Sequence, residues 1–322
     1  MATLIQAPEL YGIAESEQNF LTLDRFPTAK VFDNVDAWLR DGVTCIGASE
    51  SPALLGYGYA DQSIISLYEA KINPRFDDDD ERELFEWGHA IQPVTLAMFS
   101  RKAKVPVQDL GPFTRIRHPL YPWLACTLDG FTEDPNEGPG VVEAKNIGHY
   151  SRKEWEADDP PLRVQIQIQH QIACTDTTHG YAVACVGGNK LAWRKVERNE
   201  DFIAALIAEC GKFWGYVTRR ELPPVDESAA TAAALGRLWP EDSGATVFGP
   251  PEAANWMREL EEAKEAIKAQ EARKMAAENQ LKAALGEATF IEAGGCRYSW
   301  KQQSRKGYFV EPVSFRVLRR CK

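Results

Sequence analysis

The stretch LDGFTEDPNEGPGVVEAKN (residues 128–146) decides the fold, because it sets carboxylates and a lysine at strand spacing. Val141–Ala144 reads as a strand, preceded by Pro, Gly and Asp punctuation. Side chains alternate along a strand, so Glu143 and Lys145 point one way and Ala144 the other. A preceding strand or turn that ends at Asp129 can bring a second carboxylate beside Glu143. Two hard oxygen ligands and the backbone carbonyl of Ala144 suit Mg²⁺, which keeps waters and takes phosphate oxygens. Lys145 would then orient or help deprotonate an attacking water and offset phosphate charge, the pattern of metal-assisted phosphodiester hydrolysis. On its own the D-x13-E-x-K pattern fits a solvated Asp-Gly turn and a surface ion pair equally well.

Outward from this centre the text alternates between helix and strand signals. Upstream, DAWLRDG (36–42) reads as a short helix. Ser51-Pro52 reads as the start of another, with Ser51 as cap and Pro52 in the first turn. The acidic run 77–81 reads as the cap of a long amphipathic helix. Further strands are expected at Phe113–Arg117 and Leu124–Thr127. Downstream, LRVQIQIQHQIACT (162–175) alternates like a strand over 164–172. Val164, Ile168 and Ile172 nevertheless make an i, i+4 stripe, and the Asp-Pro entry favours helix, which puts Gln167 and Gln171 on one face. Tyr181–Val186 and Leu191–Val196 read as a hairpin across 187–190, and 201–220 as an amphipathic helix.

Residues 226–251, rich in Ala, Gly, Pro and Ser, read as a linker. Helix 252–286 follows, carrying Trp256, Leu260, Ala263, Ile267, Ala277, Leu281 and Ala284 at 4,3 spacing, interrupted by Gln270 and Lys274. This reads as a packing or oligomer element. A hairpin around Gly294-Gly295 opens a tail whose residues 297–322 hold eight Lys/Arg against the single acid Glu311. The expected organisation is a lead-in (1–34), a core (35–225), a linker (226–251) and a C-terminal helix with a basic hairpin tail (252–322).

The chain has 322 residues and a formal net charge of -10, a balance that argues against a generic DNA binder. The tail carries +7, however, which leaves -17 on the preceding 296 residues. Whole-chain charge therefore says little about one channel, since screening limits its reach to about 10 Å. No apolar run approaches the roughly 18 residues of a membrane span, and the N-terminus lacks a signal-peptide pattern. The seven cysteines are scattered with no CxxC spacing, so they read as core residues of a reducing compartment. The expectation is a soluble cytoplasmic protein with no membrane partner.

Taken in order, WLRDGVTCIGASESPALLG (38–56), EWGHAIQPV (86–94), HPLYPWLACTLDGF (118–131), VVEAKN (141–146), VQIQIQHQIACT (164–175) and FWGYVTRRELPP (213–224) resemble the lambda-exonuclease-like, YqaJ-type viral recombinase family of the PD-(D/E)xK nucleases. The resemblance covers roughly residues 35–225. It implies an α/β fold, a mixed central sheet flanked by helices around a restriction-endonuclease-like core, with the C-terminal helix and hairpin as additions. By resemblance Asp129, Glu143 and the Ala144 carbonyl are metal ligands, Lys145 is the catalytic lysine and Gln167 organises the site or contacts DNA. Gln171 is expected to do likewise at the substrate phosphate or to lie on a solvated face. Ser49 and Arg40 match positions that hold the terminal 5′-phosphate, with a helix cap and a surface arginine as the alternatives.

The resemblance further implies two Mg²⁺ ions per site, with Mn²⁺ as a substitute. It implies 5′→3′ digestion of linear duplex DNA to leave 3′ overhangs, a trimeric ring, and a single-strand annealing protein as partner in the cytosol of a phage host. Gln92 stands where the family commonly has glutamate, so its contribution to a second metal is expected to be weaker. Two alternatives stay open: an endonuclease of the same superfamily, and a DNA-binding protein with an inactive nuclease core.

Overall fold

The computed structural model describes residues 23–75, 79–111, 113–134, 137–307, 309, 314 and 316–320. The first 22 residues of the expected lead-in lie outside that set, as do Asp77 and Asp78 of the expected acidic cap. The chain divides into two compact units, the first ending at Trp239 and the second beginning at Pro240.

The first unit builds two four-stranded sheets. Strand β1 (Ala29–Val31) is followed by helix α1 (Val35–Gly42), which Asn34 caps by accepting from the Ala37 N–H at 2.9 Å. Then come β2 (Ile46–Gly47), the four-residue α2 (Ser51–Leu54), α3 (Ile64–Ile72) and the long α4 (Asp79–Ala103), which contains Pro93. Strands β3 (Thr114–Arg117) and β4 (Leu124–Cys126) complete a sheet of order β1-β3-β4-β2. Directly afterwards, β5 (Gly130–Asp134) and β6 (Gly138–Ile147) begin a second sheet. It continues through helix α5 (Leu162–Thr175) into β7 (His179–Val186) and β8 (Lys190–Glu197), in order β5-β6-β7-β8. The expected α/β fold with mixed sheet flanked by helices is present, with its strands divided between two mixed sheets. The chain passes from one to the other between Cys126 and Gly130, so Asp129 stands at the junction.

Strands β6 and β7 pair in parallel, which a short turn cannot arrange, and α5 is the crossover between them. Nearly all of α5 is buried, from Val164 to Thr175, which explains why its sequence shows no clean amphipathic stripe. Each of its alternating glutamines makes a specific hydrogen bond, although the buried Gln171 Oε1 has no partner among the described residues. Gln165 donates to the Pro160 carbonyl at 2.7 Å. Gln169 donates to Glu197 O at 2.6 Å and accepts from the Asn199 N–H. The helix also approaches β7 very closely: a Cβ on Gly180 would stand 2.4 Å from Ile168 Cγ2, so only glycine fits there.

Helices α6 (Glu200–Arg219) and α7 (Ala229–Leu238) close the unit. Helix α7 lies inside the segment read as a linker. Ser228 caps it, Ala230, Thr231 and Ala234 are buried, and Arg237 pairs with Glu69 of α3 at 3.0 Å. The Ala-rich composition that suggested a linker is the composition of a helix packed tightly on its neighbour. Ser51 is also not the cap of α2. Glu50 occupies that place without a side-chain cap bond, and the buried Ser51 hydroxyl donates to Ala48 O at 2.9 Å.

The second unit holds α8 (Ala253–Leu285) and the hairpin β9 (Phe290–Ala293) and β10 (Cys296–Ser299), joined at Gly294-Gly295 with both φ positive. Beyond Ser299 the described tail residues form no strand or helix, so the hairpin expectation holds for its first part only. Among the described residues no helix is long and apolar enough to cross a membrane.

His170, on α5, is fully buried with Nε2 3.0 Å from the Ala125 carbonyl, and burial lowers its pKa to about 3. The unfolded chain takes up this proton near pH 6.5 and the folded one refuses it, so stability falls as pH drops through that window. At pH 4.5 the loss from this residue is about 3 kcal/mol. Urea unfolding at pH 7 and pH 4.5 should show the decline, and His170→Gln should lose less on acidification than the wild type. An equal acid loss in both chains would assign the effect elsewhere.

Candidate active site

The antiparallel register of β5 on β6 explains why two carboxylates 14 residues apart meet. Gly130 lies opposite Val142 and Phe131 opposite Val141. Continued by one position, the register sets Asp129 opposite Glu143, on the same face. Glu143 and Lys145 then share that face by strand alternation. The strand β6 runs on to Ile147 against β7, while β5 has already begun, so the edge beside Ala144 is open. Asp129 fills part of it, with Oδ2 accepting from the Ala144 N–H at 2.8 Å. A strand residue turns its N–H and C=O to the same edge, so the Ala144 carbonyl faces the Asp129 side as well.

The side chains converge tightly. Lys145 Nζ lies 2.7 Å from Glu143 Oε1 and donates to Gln167 Oε1 at 2.9 Å. Glu143 is almost fully buried, and its other oxygen accepts from Gln171 Nε2 at 2.5 Å. Burial pushes the Asp129 carboxyl well above the usual range, and the neighbouring Glu143 charge adds to it. Burial disfavours the Lys145 ammonium, but Glu143 and Asp129 outweigh it and raise the lysine's pKa. Lys145 is therefore a cation at neutral pH, suited to meeting phosphate charge rather than to removing a proton.

These groups line a cavity of about 500 Å³ with Tyr59, Gly88, His89, Ile91, Gln92, Thr95 and Asn146. Gln92 reaches it from α4 and donates to the Asp129 backbone carbonyl at 3.2 Å, leaving its amide oxygen as the one atom it could offer a cation. Tyr59 and Lys145 also line a smaller cavity of about 80 Å³, together with Ser49, Gln167 and Arg163. Ser49 and Gln167 in turn line a third, of about 360 Å³, with Thr127, Lys71 and Arg115. The three cavities share lining residues in turn, and the groove is this set of three.

The structure brings Asp129, Glu143, Ala144, Lys145, Gln167 and Gln92 together and places Ser49 along the groove. Two sequence readings change. Arg40 is exposed and lines none of the three cavities, while α1 contributes Trp38, Leu39 and Gly42 to the groove. Gln171 is fully buried behind Glu143 and lines no part of the groove, so it holds the carboxylate instead of a phosphate. Sequence reading also missed Arg163 and Tyr59. Arg163 sits one turn before Gln167 on α5, a relation visible once that segment is read as helix. Its guanidinium lies 5.2 Å from the Tyr59 ring centre and pairs with Glu154, while its buried Nε has no partner. Tyr59 comes from the loop between α2 and α3 and gives no periodic signal.

The donor set suits a hard cation. Two opposed carboxylates and a carbonyl turned to the same edge leave room for waters, as Mg²⁺ requires. Among the described residues no group of three or more His, Cys, Asp and Glu is placed to hold a metal ion, so the donors at this site are two carboxylates and a backbone carbonyl.

Replacing Gln171 by leucine should leave the buried Glu143 oxygen without its donor. The expected cost is about 1–3 kcal/mol of stability, measured by urea unfolding. An unchanged midpoint would mean that Glu143 needs no such anchor.

Residues 37–178 match the YqaJ-like viral recombinase domain. The uncharacterised protein YqaJ of Bacillus subtilis (strain 168) is 23% identical over 271 residues, which span 83% of each chain. Among solved structures, an alkaline exonuclease (LHK-Exo) from Laribacter hongkongensis superposes with a TM-score of 0.46 at 17% identity, over 58% of this chain and 94% of that one. A phage-related exonuclease from Haemophilus somnus 129PT does so with a TM-score of 0.40 at 8% identity, over 55% and 96%. The Asp129–Lys145 constellation lies inside the stretch, residues 37–178, over which the chain is similar to that family.

Proposed function

We propose that this chain is a metal-dependent exonuclease that digests linear double-stranded DNA. The observation that carries the reading is the convergence of Asp129, Glu143, the Ala144 carbonyl edge, Lys145 and Gln167 on the floor of one groove. Similarity to an alkaline exonuclease and a phage-related exonuclease points the same way. Asp129, Glu143 and the Ala144 carbonyl would hold Mg²⁺, with Mn²⁺ as a substitute and Gln92 as a weak contributor to a second ion. The metal would supply Lewis acidity and an activated water. Lys145, kept protonated by its two carboxylate neighbours, meets the phosphate oxygens, and Gln167 fixes its ammonium in place.

Polarity follows from which end the groove receives. Ser49 and Arg163 flank the small cavity next to Lys145, where a hydroxyl and a guanidinium suit a terminal phosphate. Held there, a 5′-phosphate would set the next phosphodiester at Lys145, which gives 5′→3′ digestion and 3′ overhangs. Such overhangs are the substrate of a single-strand annealing protein in phage-type recombination, in the cytosol of the host. A trimeric ring belongs to the same reading.

The test is digestion of linear duplex with a 5′-phosphate or a 5′-hydroxyl, in Mg²⁺ and in EDTA, beside a covalently closed circle. Linear phosphorylated duplex should be consumed in Mg²⁺ alone, and Lys145→Ala should slow it by a hundredfold or more. Equal attack on the circle would refute the exonuclease reading. Arg163→Ala should erase the preference for 5′-phosphate, while Arg40→Ala should preserve it. The reverse pattern would return the phosphate to Arg40.

A further inference from the structure

We infer that Tyr59 stacks on the base of the terminal nucleotide, a contact that holds the DNA end without reading its sequence. The inference rests on the exonuclease reading, with the terminal phosphate in the small cavity and cleavage at Lys145. Two side chains, Tyr59 and Lys145, line both the cavity of about 80 Å³ and the cavity of about 500 Å³. Along a DNA strand one nucleoside separates two successive phosphates. A strand with its end phosphate by Ser49 and Arg163 and its next phosphate at Lys145 therefore sets its first nucleoside beside Tyr59.

The ring suits that place. It is 55% exposed, and the Arg163 guanidinium lies over it at 5.2 Å from the centre. Among the residues that line the larger cavity, only Tyr59 and His89 carry a flat ring. Every base has a π-face, so an aromatic platform accepts any nucleotide, whereas a hydrogen-bonding side chain would select among them. An enzyme that consumes duplex of any sequence needs that tolerance.

The backbone fixes the ring before substrate arrives. Gly56 takes a φ of +79°, and the Tyr57 N–H donates to the Pro52 carbonyl at 2.8 Å. Gly58 lies so close to α2 that a Cβ there would stand 2.8 Å from Ala53 Cβ. Tyr59 and Gln62 then close on each other. The Tyr59 N–H donates to Gln62 Oε1 at 3.1 Å, and the Gln62 N–H donates to the Tyr59 carbonyl at 2.9 Å. A loop held this way has little freedom left to lose on binding, so stacking on its ring is not offset by ordering.

The test uses full chains carrying Lys145→Ala, in which cleavage is suppressed, and duplexes with a 5′-phosphate on a one-nucleotide 5′ overhang. The overhanging nucleotide carries a base or is an abasic sugar, so base pairing is the same in both. By fluorescence anisotropy in Mg²⁺, the base-bearing end should bind at least about fivefold more tightly than the abasic one, whichever base it carries. Tyr59→Ala and Tyr59→Leu should abolish that contrast, and Tyr59→Phe, which keeps the ring, should retain it. Equal affinity for the two ends, or a contrast that survives Tyr59→Ala or Tyr59→Leu, would overturn the inference. The two readings fail separately. Digestion of linear duplex by the wild type with no contrast refutes the stacking alone. A Tyr59-dependent contrast with no digestion supports the stacking and refutes the exonuclease.

Discussion

The hydrogen bond from the Ala144 N–H to the Asp129 carboxylate is the joint on which this molecule turns. At that point β5 no longer accompanies β6, and a backbone donor at a bared sheet edge needs a partner. A side chain from the turn between the two sheets supplies it. One bond thus closes the edge of the second sheet, fixes the chain as it leaves the first, and sets Asp129 across from Glu143. The same edge gives the Ala144 carbonyl its direction, so one structural necessity places both the carboxylate and the carbonyl.

Behind that joint lies a buried helix that carries polar groups inward. Burying an amide without a partner costs about 1–3 kcal/mol, so four glutamines at alternate positions of α5 would be ruinous in an apolar core. Here each has a specific counterpart, two of them at the site: Lys145 for Gln167 and Glu143 for Gln171. The glutamines therefore cross-brace the helix to β6. The close approach at Gly180 locks the same helix to β7.

How much of this could be read from sequence follows from the range of each signal. Glu143 and Lys145 sit two apart on one strand, and Asp129 faces them through a hairpin register, so local spacing was enough. The helix over 162–175 was legible from its Asp-Pro entry against its misleading alternation. Side chains whose place depends on packing between distant segments were not. The apolar alanines of α7 look like linker until they meet α3. Resemblance puts Arg40 at a terminal phosphate, yet it lines none of the cavities of the groove. Arg163 had no motif of its own, and Ser51 looked like a cap because Ser-Pro often is one, although its hydroxyl serves Ala48 instead.

The parallel pairing of β6 and β7 carries a consequence for the order of assembly. Asp129 and Glu143 can meet as soon as a local hairpin closes, a short loop with a small entropic cost. Gln167 and Gln171 arrive only after the intervening chain has coiled into α5 and β7 has docked beyond it, which is a slower, longer-range event. Until then Glu143 and Lys145 have no amide to hold them. A nascent or half-folded chain thus carries the acidic pair but not the braced site, and the chemistry of the groove becomes available only as the last long-range contacts of the unit are made.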